Sequence, residues 1–247
     1  MQSGLDHVVA YLSRIAPGLV LGGVMLALAR RARRARIVLY LALFVLLRDA
    51  MTPLGLWSLG TEGFFWLRMI EVPVFLVAFG LGSLVITMGL ARFDGPNRVS
   101  LRWLKERPIE GALVGLLGAA IVALPLVLVY RSTPIALRGG AVAPRVLPSL
   151  LVFAILGNLL EETLFRGYVM EELALTMGAM RAAVASGVVF AFCHVFLAIT
   201  VTDTGAALLL FTLWEGIVAG VVGSRYGILP ATLTHGGAVF ILASGLF

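Results

Sequence analysis

Residues 72–91 read VPVFLVAFGLGSLVITMGLA and contain no charged side chain. A helix needs about 20 consecutive, mostly apolar residues to cross the hydrocarbon core of a bilayer. The rest of the chain has the same character, since 60% of its 247 residues are hydrophobic. Only 13% are charged, against about 25% in soluble globular domains. The composition therefore predicts an integral membrane protein and excludes a water-soluble domain.

Similar apolar stretches, bounded by charged residues, Pro or Gly, occur along the whole chain. They predict an all-α fold, a polytopic transmembrane helix bundle of about eight spans that forms one structural domain. Residues 1–146 would contain spans one to four with basic cytoplasmic loops, and residues 147–247 would contain spans five to eight. The predicted spans are 8–29, 37–57, 64–91, 111–130, 147–170, 182–202, 205–223 and 228–246. Because Arg68 and Pro73 interrupt the third stretch, we expect its membrane-crossing part to be 72–91.

The distribution of basic residues predicts the orientation of the bundle. With alternating spans, twelve of the nineteen basic residues fall in loops on one side and five in loops on the other. Cytoplasmic loops carry the excess of Lys and Arg, so we expect the basic side to be cytoplasmic and both termini to be exterior. The net charge of +6 is then explained by the orientation of the chain in a bilayer, and we expect no nucleic-acid partner. The basic segment 92–110 is predicted as either an amphipathic surface helix or a solvated loop.

Small residues recur at four-residue spacing in three of the predicted spans. Such pairs allow two helix backbones to approach closely. The pairs are Gly18/Gly22, Gly111/Gly115 and Gly216/Gly220. We expect each pair to lie at a helix–helix contact.

The fifth predicted span contains the ionisable sequence Asn158-Leu-Leu-Glu-Glu-Thr-Leu-Phe-Arg166. Ionisable residues inside apolar spans are costly and are candidates for a functional site. In a helix, Asn158, Glu162 and Arg166 form one stripe, and Glu161 lies about 100° around the axis. Glu162 is then placed to pair with Arg166. Glu161 keeps no cation in its own helix and is free to act on a water molecule.

Two of the three histidines lie in late spans, His194 in the sixth and His235 in the eighth. An antiparallel arrangement of spans five, six and eight would bring Glu161, His194 and His235 together beneath the cytoplasmic face. A carboxylate with a histidine can deprotonate water, and a second histidine can donate a hydrogen bond to an oxyanion. The residues therefore predict a hydrolytic site inside the membrane.

The order and spacing of these groups resemble the CPBP family of intramembrane proteases, also called type II CAAX proteases or the Abi family. The matching motifs are Glu161-Glu162-x-x-x-Arg166, Phe190-x-x-x-His194, and His235 followed by small residues. The resemblance covers residues 147–247. It implies a glutamic-type endopeptidase that cleaves near the C-terminus of a membrane-anchored or hydrophobic protein or peptide. It also favours a bacterial cytoplasmic membrane, with the active site opening toward the cytoplasm.

The resemblance also implies roles for individual residues. Glu161 and His194 would activate water, and His235 would lie near the oxyanion. Arg166 would fix Glu162 or contact the substrate backbone. No cofactor would be required.

One position departs from the family pattern. Members commonly have Asn or Asp four residues after the last histidine, where this chain has Val239. Losing one oxyanion donor can reduce a rate by about 10²–10³-fold. Thr232, Thr234 and Glu215 are polar groups that could substitute, and the sequence does not choose among them.

Three alternatives use the same residues. Glu161, His194 and His235 are ligand types found in three-residue zinc sites with an open position. The cluster could instead be a proton relay of a transporter. A third alternative is a non-catalytic membrane protein of the immunity type, which Val239 favours.

Other side chains are assigned supporting roles. Phe190 is expected to pack beneath His194, and Asn158 to support the site from the fifth span. Glu215 is expected either to line a substrate channel or to form a helix–helix hydrogen bond. Arg48 and Asp49 are predicted to form an ion pair at the membrane interface.

Overall fold

A computed structural model describes residues 4–60, 66–93, 101–200 and 205–246 of the chain. These residues form a bundle of antiparallel helices. The helices are α1 (Gly4–Leu28), α2 (Arg33–Asp49), α3 (Pro73–Phe93), α4 (Pro108–Tyr130), α5 (Leu147–Glu162), α6 (Met170–Met177), α7 (Ala179–Phe192), α8 (Val195–Thr200), α9 (Gly205–Tyr226) and α10 (Ile228–Ser244).

The described helices confirm the predicted all-α bundle of apolar spans. A π-helical segment, Thr163–Val169, joins α5 and α6 into one continuous rod, and α7 and α8 are separated only by two residues. Within the described ranges, seven helical stretches are long and apolar enough to cross a membrane. The eighth, α10, is apolar but has 17 residues, a length of about 25 Å.

The second and third predicted spans, 37–57 and 64–91, are wrong at their adjoining ends. Helix α2 ends at Asp49, and the chain then forms a short antiparallel hairpin of β1 (Trp57–Leu59) and β2 (Leu67–Met69). Gly55 has a positive φ of 61°, a conformation that favours glycine and stops a helix. As expected from Pro73, the helix of the third span begins at that residue.

Arg68 attaches this hairpin to the C-terminal end of α10. Its guanidinium donates hydrogen bonds to the carbonyl oxygens of Gly140 (3.0 Å) and Leu242 (2.8 Å), and the residue is buried. The last carbonyl groups of a helix have no partner within the helix. The charged residue inside the predicted third span therefore caps a neighbouring helix.

The glycine pairs lie at helix contacts, as predicted. A Cβ atom at Gly216 would be 2.9 Å from the carbonyl oxygen of Gly187, and one at Gly220 would be 2.6 Å from that of Ala183. Helices α7 and α9 therefore approach each other closely. The other pairs face α2 and α10, with Gly18 against Leu46, Gly22 against Leu43, and Gly111 and Gly115 against Pro230.

The antiparallel arrangement gives the bundle two distinct ends. We call the end formed by the β1–β2 hairpin, the start of α5 and the end of α10 the hairpin end. The opposite end, which we call the basic end, contains the α1–α2 loop, residues 101–107 and the α9–α10 turn. Residues 101–107 are not helical, and the carbonyl oxygens of Arg102 and Trp103 accept hydrogen bonds from the first backbone N–H groups of α10. The rest of the predicted surface segment includes residues 94–100, which lie outside the described residues.

Candidate active site

Glu162 is the centre of one buried cluster. Its side chain is fully buried, and Oε1 accepts a hydrogen bond from His235 Nδ1 at 2.8 Å. The same oxygen lies 3.0 Å from Arg166 Nη1, so the ion pair predicted from the i, i+4 spacing is present. Arg166 also donates from Nη2 to the carbonyl oxygen of Gly216 on α9. The cluster joins the α5–α6 rod to α9 and α10.

His194 lies at the break between α7 and α8. The backbone N–H of His194 donates to the carbonyl oxygen of Ala191, and His194 Nδ1 lies 2.8 Å from the carbonyl oxygen of Phe190. A carbonyl oxygen can only accept a hydrogen bond, so Nδ1 carries the proton and Nε2 of the neutral ring keeps its lone pair. The motif Phe-x-x-x-His thus fixes the tautomer through the backbone of its first residue.

The Phe190 ring separates the two histidines. Its centroid lies 4.4 Å from that of His194 and 5.1 Å from that of His235. The guanidinium carbon of Arg166 is 5.1 Å from the same ring. The expected packing beneath His194 is therefore present, and Phe190 also sets the spacing between the imidazoles.

Glu161 points away from Glu162 and has a cation partner that the sequence analysis missed. Arg48, at the end of α2, forms a buried ion pair and hydrogen bond with Glu161 Oε1. The interfacial pair predicted for Arg48 and Asp49 is wrong, because the Arg48 side chain turns into the bundle. The other carboxylate oxygen, Oε2, lies 3.9 Å from His194 Nε2.

One comparison with known protein families matches the segment that contains Glu161, His194 and His235. Residues 143–241 match a family model described as Rce1-like: type II CAAX prenyl endopeptidase Rce1-like. This segment, which is less than half of the chain, is similar to the Rce1-like proteases of the CPBP family. No curated protein and no solved structure matches the chain.

The match confirms the resemblance noted in the sequence and supports an intramembrane endopeptidase of the CAAX-protease type. The Rce1-like segment includes α5 to α9 and most of α10. Arg48 lies outside the segment, in α2.

The three polar residues that could substitute for Asn or Asp at position 239 differ in what their side chains contact. The Thr234 hydroxyl donates to the carbonyl oxygen of Gly115, and the Thr232 hydroxyl donates to that of Ile228. Glu215, in contrast, lines the same cavity as Val239, with Oε2 at 3.7 Å from His235 Nε2. Of the three candidates, Glu215 is the one that faces the site of the Rce1-like segment.

A cavity of about 90 Å³ connects these groups. Its polar lining consists of Arg48, Asn158, Glu161, His194, Thr212, Glu215 and His235. Asn158 is buried there, and its amide nitrogen donates to the carbonyl oxygen of Ala154. A second cavity of about 300 Å³, lined mainly by apolar residues of α1, α2 and α3, also borders Arg48 and Glu161. This ion pair therefore stands between two cavities.

The first cavity extends toward the hairpin end. Trp57 and Leu59 of β1 and Leu67 and Met69 of β2 form part of its lining. The basic end, which the basic residues predict to be cytoplasmic, is opposite. Two predictions therefore conflict. If the basic end is cytoplasmic, the cavity extends toward the exterior side of the membrane and does not open toward the cytoplasm.

The side chains that the structure describes do not form a metal-binding set. Among residues 4–60, 66–93, 101–200 and 205–246, no three His, Cys, Asp or Glu side chains are placed to hold an ion. In the zinc alternative, the ion would lie close to the Arg48 guanidinium, which pairs with Glu161 in the same cavity and would repel a second cation. The described arrangement does not fit zinc at Glu161, His194 and His235.

Proposed function

We propose that the protein is an intramembrane endopeptidase in which Glu161 and His194 activate a water molecule for hydrolysis of a peptide bond. Its substrate would be a membrane-anchored or hydrophobic protein or peptide cleaved near its C-terminus. The membrane would be a bacterial cytoplasmic membrane, and no cofactor would be required. The observation that carries the proposal is the gap between Glu161 Oε2 and His194 Nε2.

This gap of 3.9 Å is too long for a direct hydrogen bond and suits one bridging water. Both facing atoms are acceptors, because Glu161 Oε1 is held by Arg48 and His194 Nδ1 is the protonated nitrogen. Glu161 Oε2 is buried and has no hydrogen-bond partner within the described ranges. A water that donates to both atoms would be oriented with its lone pairs toward a substrate carbonyl carbon.

The hydrolysis then follows from the same geometry. The water oxygen adds to the carbonyl carbon while its proton moves to Glu161 or His194. The carbonyl π electrons move to the oxygen, toward His235, which Glu162 holds by Nδ1. The C–N bond then breaks, and the leaving nitrogen takes the proton held by Glu161 or His194. Glu162 and Arg166 act by positioning His235.

A comparison of membrane peptidomes tests the proposal. Cells that carry the wild-type chain, Glu161→Ala or Glu106→Ala would be compared, the last as a control at an exposed loop carboxylate. We expect a peptide released from the C-terminal region of a membrane protein in the wild type and in Glu106→Ala, and its loss in Glu161→Ala. Identical peptidomes of the wild type and Glu161→Ala would reject the proposal.

A further inference from the structure

Glu215 is a buried carboxyl group beside the site that the proposed hydrolysis does not use. It is 3% exposed, on the face of α9 that lies next to His235. Its Oε2 lies 3.7 Å from His235 Nε2, and its Oε1 has no hydrogen-bond partner in the part of the chain that the structure describes. A polar atom buried without a partner is costly, so its position requires an explanation.

The nearby cations already have partners. Arg48 binds Glu161, and Arg166 binds Glu162. His235 therefore remains as the charge partner of Glu215. A buried carboxylate without a counter-charge is strongly unfavourable, so we expect the two groups to share one proton as a coupled pair.

The shared proton has a chemical consequence. Whether it lies on the carboxyl group of Glu215 or on Nε2 of His235, the pair offers one hydrogen-bond donor to the cavity. The distance of 3.7 Å leaves neither atom fully satisfied by the other. A substrate oxygen atom placed between Glu215 Oε2 and His235 Nε2 would accept this hydrogen bond.

The residue that follows His235 by one helical turn makes this donor important. Val239 lines the same cavity and has no polar atom. The hydroxyl groups of Thr232 and Thr234 are directed to backbone carbonyl oxygens of Ile228 and Gly115. Glu215 is thus the polar group that is placed to compensate for Val239.

We propose that Glu215 is a further catalytic residue that, with His235, supplies the hydrogen bond to the carbonyl oxygen of the scissile peptide bond. This inference rests on the proposed function. No bond to Glu215 forms or breaks, because the carboxyl group only stabilises the negative charge that develops on that oxygen. In this chain, Glu215 supplies the hydrogen bond that Asn or Asp at position 239 would supply.

Four variants test the inference: Glu215→Met, Glu215→Gln, Glu215→Met/Val239→Asn and the exposed control Glu106→Gln. The probe is a quenched fluorescent peptide that spans the cleavage site found in the peptidome comparison. Cleavage would be measured with the full chain in vesicles of phosphatidylethanolamine and phosphatidylglycerol, with Glu161→Ala in parallel. Thermal unfolding of each variant in detergent would verify that it is folded.

We expect Glu215→Met to lower kcat by about 10²–10³-fold with little change in KM, because a transition-state donor is lost. Glu215→Gln, which keeps an N–H donor, should stay within about tenfold of the wild type. In the double variant, Val239→Asn should raise kcat at least about tenfold above that of Glu215→Met, since the amide brings a donor to the same cavity. A merely structural role of Glu215 would give no such restoration.

The failures can be distinguished. If Glu161→Ala abolishes cleavage but Glu215→Met cleaves at the wild-type rate, the inference is overturned and the proposed function stands. A folded double variant without restored activity, or a folded Glu215→Gln variant as inactive as Glu161→Ala, would overturn it as well. If cleavage does not depend on Glu161, the proposed function fails and the inference fails with it.

Discussion

Glu161 and Glu162 are adjacent in the sequence but belong to separate ion pairs. Their side chains leave the helix about 100° apart, so Glu162 meets Arg166 of its own rod and Glu161 meets Arg48 of α2. Glu162 uses Oε1 for both Arg166 and His235. Glu161 binds Arg48 through Oε1, and its Oε2 is left for a water molecule.

The pair of Arg48 and Glu161 gives a stability prediction. We expect Arg48→Leu to lower the free energy of unfolding by about 3–5 kcal/mol, because it leaves a buried carboxylate without its cation. The double variant Arg48→Leu/Glu161→Leu should recover most of this loss, since both charges are then removed. Unfolding of the purified protein in mixed micelles measures both changes.

The matched control is Arg107→Leu, which removes an exposed ion pair with Glu110. Exposed pairs contribute at most about 1 kcal/mol, so this variant should unfold almost as the wild type does. Equal effects of Arg48→Leu and Arg107→Leu would show that the Arg48 pair is not buried in the membrane-embedded protein.

The histidines lead to a prediction on metal removal. No three His, Cys, Asp or Glu side chains of the described residues are placed to hold an ion, and the Arg48 guanidinium beside Glu161 opposes a second cation. We therefore expect a strong chelator to leave the cleavage rate of the reconstituted protein unchanged. The assay would compare chelator-treated and untreated vesicles with the same fluorescent peptide. Loss of activity that zinc restores would instead support the alternative with Glu161, His194 and His235 as ligands.

At this scale, the sequence predicted what depends on local spacing. The pair of Glu162 with Arg166 follows from helical geometry. The contact of Arg48 with Glu161 joins residues 113 positions apart, and no local pattern indicates such a partner. Its available signal was an arginine inside a predicted span, which is a functional-site candidate by default.

At the scale of elements, the contact of α7 with α9 positions the site. The carbonyl oxygen of Gly216 accepts a hydrogen bond from Arg166, and Gly216 packs against Gly187 of α7. Gly220 faces Ala183 one turn later. Any displacement of α9 would also move Glu215, which is adjacent to Gly216 in the chain. The small residues are therefore part of the geometry of the site.

We expect Gly220→Ala to destabilise the protein by about 1–3 kcal/mol, as in overpacked cores. The added methyl group would lie 2.6 Å from the backbone oxygen of Ala183, which cannot move without moving α7. Gly89→Ala is the control, because a Cβ atom there meets nothing within 4 Å. Thermal unfolding in detergent measures both, and a Gly220→Ala variant as stable as Gly89→Ala would contradict the close contact.

The β-hairpin and the π-helical segment were not predicted because neither has a recognisable pattern in the sequence. The strands Trp57–Leu59 and Leu67–Met69 have three residues each, too few for a periodicity to be recognised. The π-helical segment Thr163–Val169 has the same apolar character as an α-helix, so composition cannot distinguish the two. Long apolar runs are predictable because the thickness of the bilayer sets their length.

At the scale of the whole molecule, the loop arginines and the cavity beside Glu161 and His194 lie toward opposite ends of the bundle. The basic end contains most of the loop arginines, and the cavity reaches the hairpin end. If the excess of basic residues sets the orientation, the hairpin end is exterior. The substrate would then reach Glu161 and His194 from the exterior side.

Cysteine labelling tests this orientation, because Cys193 is the sole cysteine and Cys193→Ser gives a background without thiols. Ser58 in β1 and Ala32 in the α1–α2 loop are both exposed, at opposite ends of the bundle. A membrane-impermeant maleimide applied to intact bacteria should label Ser58→Cys, and it should label Ala32→Cys only after permeabilisation. The reverse pattern would place the cavity on the cytoplasmic side and reject the orientation predicted from the basic residues. Because the cavity and the hairpin share Trp57 and Met69, the side on which Ser58→Cys is labelled is also the side toward which the cavity extends.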